Sequence, residues 1–215
     1  ERYGDAAADL LGMLAYGEFR AFEKLSADAA MAPGMSDRAA IAEMAVAEYG
    51  HFQRLCAALA SHGRDPVGAM APFEAAIDAF HQSTQPMDWL EGLIKAYVGD
   101  GIAMDFYRRI AAYVDPQTRD LVISVCDDLG HSDFVVGRVR QAIAADPKTA
   151  GRLALWGRRL VGEAFAQAQA VAVERDHLVR LVLAGGGGDQ DELEDLFSQV
   201  TDAHVGRMRA LGLEA

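Results

Sequence analysis

The sequence predicts an all-α protein: a four-helix bundle with a long crossover between helices two and three, followed by two additional C-terminal helices. Three observations lead there. Apolar residues recur at three- and four-residue spacing over most of the chain. Ala, Leu, Met, Glu and Arg are abundant, and only six prolines occur in 215 residues. Helix-breaking residues fall between the periodic stretches rather than inside them. At 51% hydrophobic content, residues 1–215 are expected to form one domain, with the bundle at about 5–145 and the C-terminal helices at about 147–211.

The first helix runs from Asp5 through Leu11, Leu14, Ala15, Phe22, Leu25 and Ala29 to the break at Pro33-Gly34. Ser36 can cap the second, which carries Ile41, Met44, Ala45, Phe52, Leu55 and Leu59 and closes at His62-Gly63. The short connection implies antiparallel packing. Residues 64–87 contain Pro66, Pro72 and Pro86, with a brief apolar pattern at Phe73, Ile77 and Phe80, and read as a crossover with a short helix. Asp88 then caps a third long helix, and Asp115-Pro116 opens a fourth through Leu121, Val125, Val135 and Val139. A fifth helix is expected from Pro147 to about Leu183, before the Gly185 to Gly188 run. A sixth carries Leu193, Leu196, Phe197, Val200, Met208 and Leu211 and ends at Gly212.

The formal net charge of −12 disfavours a surface that coats nucleic acid, because phosphate is repelled. Cys56 and Cys126 lie in apolar helical runs and read as small buried hydrophobes suited to a reducing cytoplasm. The first residues lack the pattern of a secretory leader, and no apolar run is long enough to span a membrane, so a cytoplasmic protein is expected.

Polar residues interrupt the apolar stripes at matched positions. Glu18 stands four after Leu14 and four before Phe22; Glu48 lies among Met44, Ala45 and Phe52, with His51 three residues on, on the same face. About eighty residues later the pattern returns. Tyr16-Gly17-Glu18 is echoed by Val98-Gly99-Asp100, and Glu48-Tyr49-Gly50-His51 by Asp128-Leu129-Gly130-His131. Four inward carboxylates need compensating cations, since desolvating an uncompensated ion costs several kcal/mol. Two divalent metals would neutralise Glu18, Glu48, Asp100 and Asp128, with His51 and His131 as nitrogen ligands of a kind iron accepts; manganese or zinc are alternatives.

These residues resemble the ferritin-like diiron family, whose ligand plan is Glu, Glu-x-x-His, Glu, Glu-x-x-His on four core helices. Asp100 and Asp128 depart from it by one methylene each. Leu14-Ala15-Tyr16-Gly17-Glu18, Tyr97-Val98-Gly99-Asp100-Gly101 and Leu155-Trp156-Gly157-Arg158-Arg159-Leu160 further resemble the branch of tRNA 2-methylthio-isopentenyl-adenosine hydroxylases and their actinobacterial-type relatives. The resemblance implies a ferritin-like bundle, two iron ions, dioxygen as co-substrate, a hydroxylase (monooxygenase) activity, an electron-donor protein, and tRNA or a small apolar molecule as substrate.

Other residues admit two readings. Tyr97 and Tyr107 flank Asp100 and either tune metal ligands or simply pack. A pocket lined by Phe22, Phe52, Met104 and Phe106 is expected beside the metals. His204 lies on the last helix's apolar stripe and Glu163 in another Gly-Glu pair, Val161-Gly162-Glu163; they either approach each other or the metal site, or make a buried structural hydrogen bond, which is the default. Arg138, Arg140, Arg152, Arg158 and Arg159, with Lys148, face one acid, Asp146, over residues 138–159. They either contact phosphate or pair with the surplus acids. A non-catalytic binding or assembly module with a weakened metal site is the alternative function, and iron oxidation and storage a third.

Overall fold

The computed structural model describes residues 2–127, 132–175 and 191–215, with side chains described for residues 4–127, 132–175 and 194–215. Its elements are α1 (Arg2–Asp28), α2 (Met35–Ser61), α3 (Pro66–Met70), α4 (Glu74–Ser83), α5 (Trp89–Ile94), α6 (Asp100–Ala111), α7 (Pro116–Cys126), α8 (Ser132–Ala145), α9 (Lys148–Glu174) and α10 (Asp191–Leu211). No strand occurs among the described residues, and no described helix is long and apolar enough to cross a membrane.

α1 and α2 pair in opposite directions. Arg64 reaches Asp5 at one end, His51 meets Glu18 in the middle, and Tyr49 stacks on Phe22 further along. The α2 cap differs from expectation: the N-cap is Gly34 in an extended conformation, without a side-chain bond, and Ser36 lies inside the helix. Its end at His62 follows the sequence, with Gly63 at φ 69° where a side chain would be strained. The crossover holds more helix than expected, namely α3, a 3₁₀ turn at Ala71–Phe73 and α4. Asp65 caps α3 by accepting from Gly68 N, with Pro66 at the first position, where its missing N–H costs nothing.

Asp88 caps α5 by accepting from Glu91 N at 2.9 Å, and Asp115 caps α7 by accepting from Thr118 N at 2.9 Å. The predicted third helix is not uniform. α5 passes into a π-helical turn at Lys95–Gly99, which passes into α6 with the junction residues all in the right-handed helical region. Such turns widen the helix locally and are frequent at functional sites. The predicted fourth helix is two helices in the described residues, because α7 ends at Cys126. There Arg108 takes the Cys126 carbonyl at 2.5 Å and the Asp127 carboxylate at 3.0 Å, satisfying an end-of-helix acceptor. α9 is described to Glu174; the expected end near Leu183 and the Gly185 to Gly188 run lie outside the described residues.

Two apolar clusters build the core. One joins Leu10 and Leu14 of α1 to Leu55 and Leu59 of α2, Met104 and Tyr107 of α6 and Val122 of α7. The other joins Leu25, Ile41, Ala45, Val98 and Ile102 to α8, α9 and α10. α9 is tied to α5 by Trp156, whose Nε1 donates to Glu91 O at 2.9 Å, and by Arg152, which pairs with Asp88 and Glu91.

Candidate metal centre

The polar centre lies where the two clusters meet. Along α1, Glu18 separates Leu14 of one cluster from Leu25 of the other; along α2, Glu48 and His51 separate Ala45 from Leu55; Asp100 separates Val98 from Met104. Helical periodicity turns all these positions inward, so the gap in the apolar packing is filled by acids and an imidazole.

Glu18 is 2% exposed and His51 5% exposed. His51 Nδ1 lies 3.0 Å from Glu18 Oε2 and 3.6 Å from Glu48 Oε2. One donor atom from each of the three residues lies within 4.8 Å of the others. Burial, then hydrogen bonding to Glu48, drives the Glu18 carboxyl well above the usual range, with His51 opposing. Half-buried Asp100 lines the same cavity as Glu18 and Glu48, and burial followed by the Glu48 charge pushes its carboxyl up, Lys95 opposing. It stands outside the three-residue group. Asp128 and His131 lie outside the described residues.

A metal fits this donor set on two observations. Glu18 Oε1 is buried without a hydrogen-bond partner, which costs free energy unless a cation takes the lone pair. Three carboxyls crowd one apolar site, an arrangement that a divalent ion converts from repulsive to favourable.

Tyr107 is buried and lines the cavity; a side chain at Gly17 would start 3.1 Å from its hydroxyl, so Gly17 leaves that oxygen its place beside Glu18. Burial, then the Glu18 charge, raises its phenol far above the ordinary value. Tyr97 packs at the edge of the second cluster instead. Met104 and Phe106 line the cavity as expected, whereas Phe22 and Phe52 do not. They stack with Phe19 and Tyr49 between α1 and α2, at ring separations of 5.0 to 6.4 Å.

The cavity measures about 220 Å³ and reaches from the carboxylates to α4, α9 and α10. Two polar lining residues, His81 and Gln167, escaped the sequence reading. His81 follows Ile77 by four residues on the crossover helix, so the apolar stripe read there already pointed to it; Gln167 carries no such signal.

The remaining sites are placed as follows. Arg138 pairs with Asp37 at 2.7 Å and Arg152 with Asp88 and Glu91. Arg140 donates to Ala210 O, Arg158 to Glu214 O and Arg159 to Ser83 O. His204 is 3% exposed, yet neither ring nitrogen has a hydrogen-bond partner, contrary to the structural bond expected of it. Glu163 is half-buried on α9. Cys126 is buried, Cys56 half-buried, and both are free thiols.

Residues 1–185 match the family described as ferritin-like domain, actinomycetes. The chain belongs to this ferritin-like family. No curated protein matches it. Membership accounts for the helical bundle and makes a diiron-type centre the natural setting for the Glu18, Glu48 and His51 group.

Proposed function

We propose that the protein is a non-haem diiron oxygenase that hydroxylates a small apolar substrate. One observation carries this reading: Glu18 and Glu48, which converge with His51, line a mainly apolar cavity of about 220 Å³. Glu18, Glu48 and His51 would hold metal, with Asp100 and, by the sequence repeat, Asp128 and His131 completing the set. When bound, a pair of iron ions supplies dioxygen activation, one oxygen entering a substrate C–H bond and the other leaving as water with two electrons and two protons from a donor protein.

The chain's own residues do the rest. The apolar walls exclude water from the reacting end. Tyr107 directs a hydroxyl beside Glu18, where it can donate to a ligand oxygen and keep that carboxylate oriented. His51, in reach of both glutamates, fixes their mutual placement.

A tRNA substrate would require Arg138, Arg140, Arg152, Arg158 and Arg159 to exchange their intramolecular partners for phosphate. For that reason a free small molecule is preferred, and tRNA binding at low salt is the check. The non-catalytic assembly module is favoured by one feature: Asp100 stands outside the group of three that converges. The experiment is aerobic turnover of iron-loaded, chemically reduced protein with medium-chain alcohols and alkyl halides under labelled dioxygen. Labelled oxygen in product supports hydroxylation, and its absence in the presence of bound iron supports the module.

A further inference from the structure

We infer that the cavity beside the centre binds an uncharged, mainly apolar molecule of about ten non-hydrogen atoms whose single polar group is met by His81. The inference deepens the oxygenase reading by naming its substrate class, but the binding it describes needs no metal.

Size comes first. At about 220 Å³ the cavity lies below the roughly 300–1,000 Å³ of sites for drug-sized ligands. α9 creates the space by what it lacks: Ala164, Ala168 and Ala172 recur at four-residue spacing on the lining face, where leucines would close the gap. Phe106 and Phe197, whose centroids are 6.0 Å apart in an edge-on contact, add aromatic lining, and Phe165 of α9 packs edge-on against both. These walls offer dispersion and nothing for a charge.

Polarity comes second. Apart from Tyr107 and the carboxylates of the centre, the polar lining side chains are His81 and Gln167. His81 lines the cavity and its Nδ1 is enclosed without a partner, which leaves Nε2 as the ring nitrogen that a bound ligand can meet. Burial, with the charges of Lys95, Arg20 and Lys24 adding to it, holds the imidazole neutral by lowering its pKa to about 3. A neutral imidazole exchanges one hydrogen bond with a hydroxyl or carbonyl. An anionic head would lose its hydration in a cavity whose described lining residues include no Lys or Arg to compensate it.

The test is calorimetric titration of the metal-free full chain at pH 7 with 1-octanol, 1-chlorooctane and octanoate. Octanol should bind at one site per chain, at least about fivefold more tightly than 1-chlorooctane and about tenfold more tightly than octanoate. His81→Phe should erase the preference for octanol over 1-chlorooctane. Ala168→Phe should abolish binding of both with the helical circular dichroism unchanged; should that variant misfold, Ala172→Leu serves the same purpose. Octanol failing to bind wild type, octanoate binding equally well, or His81→Phe keeping the preference would each overturn the inference. Iron content of the same preparations is measured separately, so loss of the metal reading and loss of the ligand reading are told apart.

Discussion

Glu18 and His204 are both buried and both poorly satisfied, and they answer to pH in opposite directions. The Glu18 carboxyl is raised from 4.5 in the metal-free fold, so its contribution to stability is present below the unfolded value and is lost as pH rises through the folded one. Metal-free protein should therefore lose stability from about pH 5 upward, and Glu18→Gln should flatten that fall while weakening iron binding at least about tenfold. His204 is lowered from 6.5 to about 4 by burial, with Arg207 adding to it. Its neutral form is kept above the unfolded value, and stability is lost as pH falls from 6.5 toward 4. His204→Leu should raise stability by about 1 kcal/mol at pH 7 by removing an unsatisfied group, and should reduce acid sensitivity in that window. Thermal unfolding at a series of pH values reads both. The inward placement of these residues was legible because helical spacing alone decides it. The unpaired state of His204 was not, since it depends on what the helices packed against α10 bring opposite.

At the scale of the element, local chemistry was readable and long-range consequences were not. Asp88 and Asp115 cap their helices as expected because a cap needs only the next three residues. The π-helical turn at Lys95–Gly99 leaves no mark in the apolar periodicity, since one widened turn shifts the stripe by only a single position. α3 docks on α1 through Gly12, where an added Cβ would sit 2.2 Å from the backbone oxygen of Ala69. Backbone cannot step aside as a side chain can, so Gly12→Ala should cost about 3 kcal/mol, close to the upper end for overpacking. Chemical denaturation checks this. A loss below about 0.5 kcal/mol would mean that α3 is free to move away.

For the whole molecule, the centre is a polar seam between two apolar clusters, and the cavity extends from that seam to the additional C-terminal helices. The second half of the repeat, Asp128 and His131, lies outside the described residues; the seam was legible in Glu18 and in the Glu48 and His51 pair, which converge. The cavity was only half so: Met104 and Phe106 were read correctly, but Phe22 and Phe52 serve the α1–α2 contact, and the alanine face of α9 becomes meaningful only once α9 lies over α6. α9 and α10 thus line the cavity that opens from the centre. Shortening Phe197 to Ala should enlarge the cavity and lower stability by about 3 kcal/mol while leaving iron content unchanged. The central claim is that Glu18, Glu48 and His51 hold metal. Elemental analysis of wild-type, Glu48→Ala and His51→Ala protein after anaerobic loading with ferrous iron and desalting tests it most directly. The account predicts about two iron atoms per wild-type chain and loss of most of that iron in both variants; wild type that retains no iron, or variants that retain as much as wild type, would contradict it.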